Sequence, residues 1–91
     1  MHVTVNLLAG QVEGSRVRLS CRRGAADDIT YYVRRETEKD YTTLDDDSEH
    51  AVDDRPKLDP DRPEVRRYYA MLLYGGDETR MRTNEIVVTV P

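Results

Sequence analysis

Apolar side chains recur at about every second position along most of this chain, a spacing that suits half-buried strands and leaves no stretch with a helical period. Val3-Thr4-Val5-Asn6-Leu7 alternates and stops at Ala9-Gly10. Val17-Arg18-Leu19-Ser20-Cys21 alternates between Gly14-Ser15 and Gly24. Ile29 to Arg34 is rich in β-branched and aromatic residues, which fit a pleated surface. Val65 to Tyr74 reads as a long strand that ends at the hairpin signal Gly75-Gly76-Asp77. Asn84 to Val90 is its expected partner, with Ile86, Val88 and Val90 on one face, and residues 75–83 between them read as a polar loop.

The middle of the chain has a different character. Nine carboxylates and one lysine lie between Glu36 and Asp54, with Tyr41, Leu44, Ala51 and Val52 as the apolar anchors. Two short edge strands are expected, near Tyr41 to Leu44 and near His50 to Val52, because charge on short edges opposes edge-to-edge aggregation. Three prolines between Arg55 and Pro63 require an extended or turned segment, since proline cannot donate to a ladder. Seven strands at this spacing predict an all-β fold, a seven-stranded antiparallel β-sandwich occupying residues 1–91 as one domain. A helix-containing α+β domain is the rival.

Composition bounds the rest. Apolar residues make up 37% and charged residues 35%, so the core is thin and the surface ionised, while a net charge of −4 is too small for a disordered polyelectrolyte. That acidic balance argues against nucleic-acid binding, which needs a concentrated cationic surface. No run approaches the ~20 apolar residues of a membrane helix, and no signal segment is visible, which leaves a cytoplasmic protein or part of a larger exported one. Cys21 is the only cysteine, so neither an internal disulfide nor a thiolate metal cluster is available.

Val17-Arg-Leu-Ser-Cys21, Ile29-Thr-Tyr-Tyr-Val33, Leu58-Asp-Pro60, Glu64-Val-Arg-Arg-Tyr68-Tyr-Ala70 and Ile86-Val-Val-Thr-Val90 together resemble a bacterial fibronectin type III domain. The resemblance implies structural roles: Tyr68 as the tyrosine whose hydroxyl ties down a corner between strands, and Leu58 as its packing partner. It also implies adhesion, spacing or accessory duty beside a carbohydrate-active enzyme. Cys21 stands where such domains usually carry tryptophan. Immunoglobulin domains place a cysteine there, but Ala70 occupies the region of its partner, so Cys21 is read as a small buried hydrophobe. The two superfamilies stay open.

Strand parity points to a working face. If Tyr68, Ala70 and Leu72 fill the interior, then Arg67, Tyr69, Met71 and Leu73 face outward. Tyr32 and Arg34 follow from the third strand, and Val87 and Thr89 from the last. Tyr32, Arg34, Arg67, Tyr69, Met71, Leu73 and Val87 then form one tyrosine- and arginine-bearing patch, the residue types that dominate interface energies. Arg34 and Arg67 would lie side by side, paired with nearby carboxylates.

Other chemistries find less in the chain. The acidic cluster Asp45, Asp46, Asp47, Glu49, Asp53 and Asp54 lacks the spacing of an EF-hand and reads as a solvated edge. His2 and His50 have no companion ligands, and no serine sits in a nucleophile elbow. The expectation is a non-catalytic module without cofactor or metal, serving a protein partner or self-association as a homodimer. The alternative is a carbohydrate- or calcium-binding accessory module, for which Tyr32, Tyr41 and Tyr69 are the available sugar platforms.

Overall fold

A computed structural model describes residues 8–44, 48–75 and 79–91. They form eight strands and no helix: β1 (Leu8–Glu13), β2 (Arg16–Cys21), β3 (Asp28–Arg35), β4 (Thr42–Leu44), β5 (His50–Asp53), β6 (Glu64–Tyr74), β7 (Thr79–Arg82) and β8 (Ile86–Val90). Every pairing is antiparallel. One sheet has the order β1-β2-β5; the other runs β4-β3-β6, with β7 and β8 both on the far side of β6. Residues from both sheets, among them Val17, Leu19, Ile29, Val33, Tyr68 and Leu72, are buried in one apolar cluster. The arrangement is compatible with a β-sandwich.

Most of the expected strands appear within a residue or two of their sequence limits. Two expectations are corrected. Ala9-Gly10 does not stop a strand but lies inside β1, because Gly10 marks a close approach: a Cβ built there would sit 2.7 Å from Ile86 Cδ1. The earlier run, Val3 to Leu7, lies outside the described residues, as do His2, Gly76 and Asp77 of the hairpin signal.

The second correction concerns the supposed loop 75–83, which contains β7, the strand that raises the described total from seven to eight. Met81 packs against the core opposite Leu72, flanked by Arg80 and Arg82. One apolar residue among arginines is a weak strand signal, and tertiary pairing decides it.

β7 lies along Met71–Tyr74 and β8 along Glu64–Tyr68, so the two are halves of one interrupted edge. The interruption is stitched by side chains. Thr83 Oγ1 accepts the Ala70 amide at 2.9 Å, while the Thr83 amide donates to the Ala70 carbonyl at 2.9 Å. Asn84 Oδ1 accepts the Leu8 amide at 2.8 Å and its Nδ2 donates to the Leu8 carbonyl at 3.3 Å. The break thus fastens the start of β1 to the edge of the opposite sheet.

The β1–β2 hairpin closes through Gly14-Ser15, with Glu13 opposite Arg16 and Gly14 at φ +62°. That left-handed conformation costs a side chain about 1 kcal/mol, and no atom lies within 4 Å of an added Cβ to confuse the measurement. Gly14→Ala should therefore lower stability by about 1 kcal/mol, about 4–8 °C in Tm for a domain of this size. Thermal and denaturant unfolding check it; an unchanged midpoint would contradict the turn geometry.

Candidate functional site

The outward row of the five-stranded sheet begins with the antiparallel register. Tyr32 stands opposite Tyr69, Arg34 opposite Arg67, Thr30 opposite Met71, and Arg67 also opposite Val87 on its other side. In the same strand Arg66, Tyr68, Ala70 and Leu72 are fully or almost fully buried, while Arg67, Tyr69, Met71 and Leu73 are half-buried. Period-two alternation therefore holds along the length of β6 that matters.

Contacts among these residues form a ring stack. Tyr32 and Tyr69 lie 4.8 Å apart between centroids at an interplanar angle of 10°. Tyr41, just before β4, meets Tyr69 edge-on at 4.8 Å and 70°. From β7 the Arg82 guanidinium sits 4.0 Å from the Tyr69 centroid, and Arg34 lies 5.6 Å from that of Tyr41. Each aromatic pair contributes about 0.5–1.5 kcal/mol beyond its burial, and an exposed cation–π contact about 0.5–1 kcal/mol. Burial pushes the Tyr69 phenol above its usual pKa, against the opposing charge of Arg82.

The arginines on this face are held in place by neighbours. Arg67 bridges Glu36 at 3.1 Å and Glu85 at 3.3 Å, Arg82 reaches Glu85 at 3.2 Å, and Arg34 donates to the Glu38 carbonyl at 2.7 Å. The seven sequence-selected residues thus share the face unequally. Tyr32, Arg34, Arg67 and Tyr69 gather near its centre, Met71 and Leu73 continue toward the hairpin end, and Val87 stands 55% exposed on β8. Tyr41 entered the sequence analysis as an edge-strand anchor and a sugar platform but not as part of this face, and Arg82 did not enter at all because its strand reads as a loop.

A second constellation was hidden in the acidic segment. Asp53 is not part of a solvated edge: it is fully buried at the end of β5, as is Arg66 of β6. Arg66 Nη1 lies 3.2 Å from Asp53 Oδ2, Arg55 Nε 3.0 Å from Asp53 Oδ1, and the Tyr68 hydroxyl donates to Asp53 Oδ2 at 2.8 Å. Glu64 continues the network, 2.6 Å from Arg66 Nε and 3.1 Å from Arg35 Nε. The proline-bearing segment is tied on by Arg66 Nη2 to the Arg55 carbonyl at 2.9 Å and Arg35 Nη2 to the Pro56 carbonyl at 3.0 Å. The acidic positions Asp45, Asp46 and Asp47 lie outside the described residues, and Glu49 and Asp54 are exposed.

The structural residues divide similarly. Tyr68 is fully buried, but its hydroxyl goes to a carboxylate on the other sheet rather than to the expected corner. Leu58 is 66% exposed rather than packed inside against Tyr68, and its amide donates to Glu64 Oε1 at 3.0 Å. Cys21 is a buried free thiol, its pKa raised by burial and then by the charge of Glu49. No group of three or more metal-ligating side chains gathers among the described residues. Comparison with known proteins returns no match to a family, to a characterised protein or to a solved structure.

Burial alone would raise the Asp53 pKa, but hydrogen bonds from Arg55 and Tyr68 and the charges of Arg55 and Arg66 outweigh it and hold it below the usual carboxylate value. Glu64 is depressed in the same way, with burial again opposed by bonds from Leu58, Arg66 and Arg35. A depressed carboxylate stabilises the fold above its unfolded pKa of about 4, and that stability is lost as pH falls through the folded value. Asp53→Asn removes one of the two counter-charges of buried Arg66, leaving Glu64 alone against it, and should cost about 3 kcal/mol, whereas Asp53→Leu with Arg66→Met should cost less. Denaturant titrations at pH 7 and pH 3 measure both. Asp53→Asn should also shrink the acid-dependent loss; a wild-type acid limb retained in full would show that Asp53 is not its source.

Proposed function

We propose that this chain is an immunoglobulin-like or fibronectin type III-like sandwich module that binds a protein partner through the outer face of β3, β6, β7 and β8. The strand orders support the first half of the reading, since β1-β2-β5 against β4-β3-β6 with β7 and β8 is the layout that the resemblance implies. The stacked Tyr32–Tyr69 pair, with Arg82 against Tyr69, carries the second half.

Three rings and two guanidiniums are held in one geometry before any partner arrives, so little side-chain freedom remains to be lost on binding. Tyrosine and arginine are enriched among the residues that dominate interfaces. The other sheet offers a contrast: its outer face presents Ala9, Gln11, Arg18, Ser20, His50 and Val52, with no aromatic ring. Among the described residues the aromatic clustering is confined to one side.

A photo-reactive residue at Thr30, opposite Met71, samples this face, and one at Arg18 samples the other. In cells that make the protein, the Thr30 probe should capture a discrete protein partner and the Arg18 probe should not. Tyr69→Ala with Arg82→Ala should reduce the yield at least about tenfold, in line with loss of a central interface anchor. Equal capture from both sheets, or capture indifferent to the double substitution, would refute the reading.

A further inference from the structure

We infer that Arg34 is a carboxylate-binding subsite within the tyrosine face, so that the partner presents an aspartate or glutamate side chain to it. The inference rests on the reading of that face as a protein-binding surface and adds the chemistry of what it takes.

The strand register sets Arg34 directly opposite Arg67. Like charges opposite each other weaken a strand pair, so each calls for a counter-charge. Arg67 has two, Glu36 at 3.1 Å and Glu85 at 3.3 Å, and Arg82 shares Glu85 at 3.2 Å. Arg34 has no ion pair among the described residues. Its Nη1 donates to the Glu38 carbonyl at 2.7 Å, while the Glu38 carboxylate serves Arg35 instead, at 2.7 Å from its amide and 3.7 Å from its guanidinium. A carbonyl positions a guanidinium without cancelling its charge. The Tyr41 ring flanks the same group with its centroid at 5.6 Å. The excess positive charge of the ring stack is therefore held in place at Arg34, with the rest of its donor fork left for a planar, bidentate acceptor.

Whatever covers this face takes Arg34 out of water. An apolar or basic partner would leave its charge buried and unpaired, which is costly. A carboxylate turns the same burial into an ion pair with charge-assisted hydrogen bonds. Nucleic acid fits less well, because phosphate binding needs a row of uncancelled cations. Here Arg67 and Arg82 are already paired, and Glu36 and Glu85 line the same surface. The arrangement selects one carboxylate rather than a polyanion.

Spacing adds a second requirement. Thr30 lies on the same face as Arg34, four residues back along β3 or ~13 Å, and stands opposite Met71. An extended segment lying along β3 therefore sets an acidic residue on Arg34 and an apolar one, four positions away, on Met71.

The probes are blocked serine- and threonine-rich peptides that carry a leucine four positions from a glutamate, a glutamine or a lysine. In heteronuclear NMR titrations the glutamate peptide should shift the Arg34 side-chain Nε–H signal and the Tyr69 amide. It should bind about tenfold more tightly than the glutamine peptide, as one charge-assisted contact provides. The lysine peptide and a thymidine oligonucleotide should leave both signals in place. Arg34→Gln should bind the glutamate and glutamine peptides equally, Arg34→Lys should keep part of the preference, and Arg18→Gln on the other sheet should keep all of it.

The peptide comparison on the wild-type chain decides the matter even where a variant folds poorly. Equal binding of the glutamate and glutamine peptides, a preference that survives in Arg34→Gln, or Arg34 signals that follow the oligonucleotide would each overturn the assignment. Those results would leave capture at Thr30 standing as support for the face. Equal capture from both sheets would remove the face, and this subsite with it.

Discussion

The two sheets are fastened at one end by a single carboxylate. Asp53 belongs to β5 of the three-stranded sheet, yet it receives Arg66 and Tyr68 from β6 of the five-stranded sheet and Arg55 from the following segment. An ionised group with no access to water is tolerated only where charge and hydrogen bonds surround it. The requirement runs in both directions: buried Arg66 needs Asp53 and Glu64 as much as they need it. Apolar packing could hold two sheets together in several relative positions, whereas this cluster is satisfied in one. It also fixes the phase of β6, because Arg66 and Tyr68 must point inward, and that leaves Arg67 and Tyr69 pointing out.

Parity is therefore enforced by two kinds of residue. Ala70 and Leu72 set it through the hydrophobic effect, while Arg66 and Tyr68 set it through paired polar groups. A slip of one position would expose the apolar row and strand Arg66 away from its counter-charges. The tyrosine stack on the outer face is the visible consequence, since Tyr32 meets Tyr69 only when Val33 faces Tyr68 and Thr30 faces Met71.

Much of the strand pattern was legible from residue alternation, and the elements that were not legible share one cause. A strand such as β2 or β3 announces itself because its buried row is apolar. β7 offers Met81 alone, and its place follows from pairing with Leu72, which is no property of the sequence window. Asp53 reads as one more carboxylate in an acidic run, since nothing nearby in sequence shows that Arg66, thirteen positions on, will lie beneath it. Leu58 errs the other way: an isolated apolar residue in a proline-bearing segment suggests a packed anchor, yet its side chain is exposed and it is its amide that is held, by Glu64. For the candidate site, parity supplied Tyr32 and Tyr69, while Arg82 was lost with its strand.

The break at Thr83-Asn84 explains how one edge can carry two characters. A continuous strand opposite the whole of β6 would be long and flat, which invites uncontrolled pairing. Thr83 and Asn84 divert their bonds to Ala70 and Leu8, so the edge becomes two short segments. β7, with Arg80 and Arg82, contributes a guanidinium to the tyrosine stack and is guarded by charge. β8 keeps an uncharged row because its inner side must close the core, where Val90 is fully buried and Ile86 and Val88 pack from the rim. Core closure at β8 is completed from the other sheet, where β1 comes so close that a Cβ at Gly10 would crowd Ile86 and touch Val88.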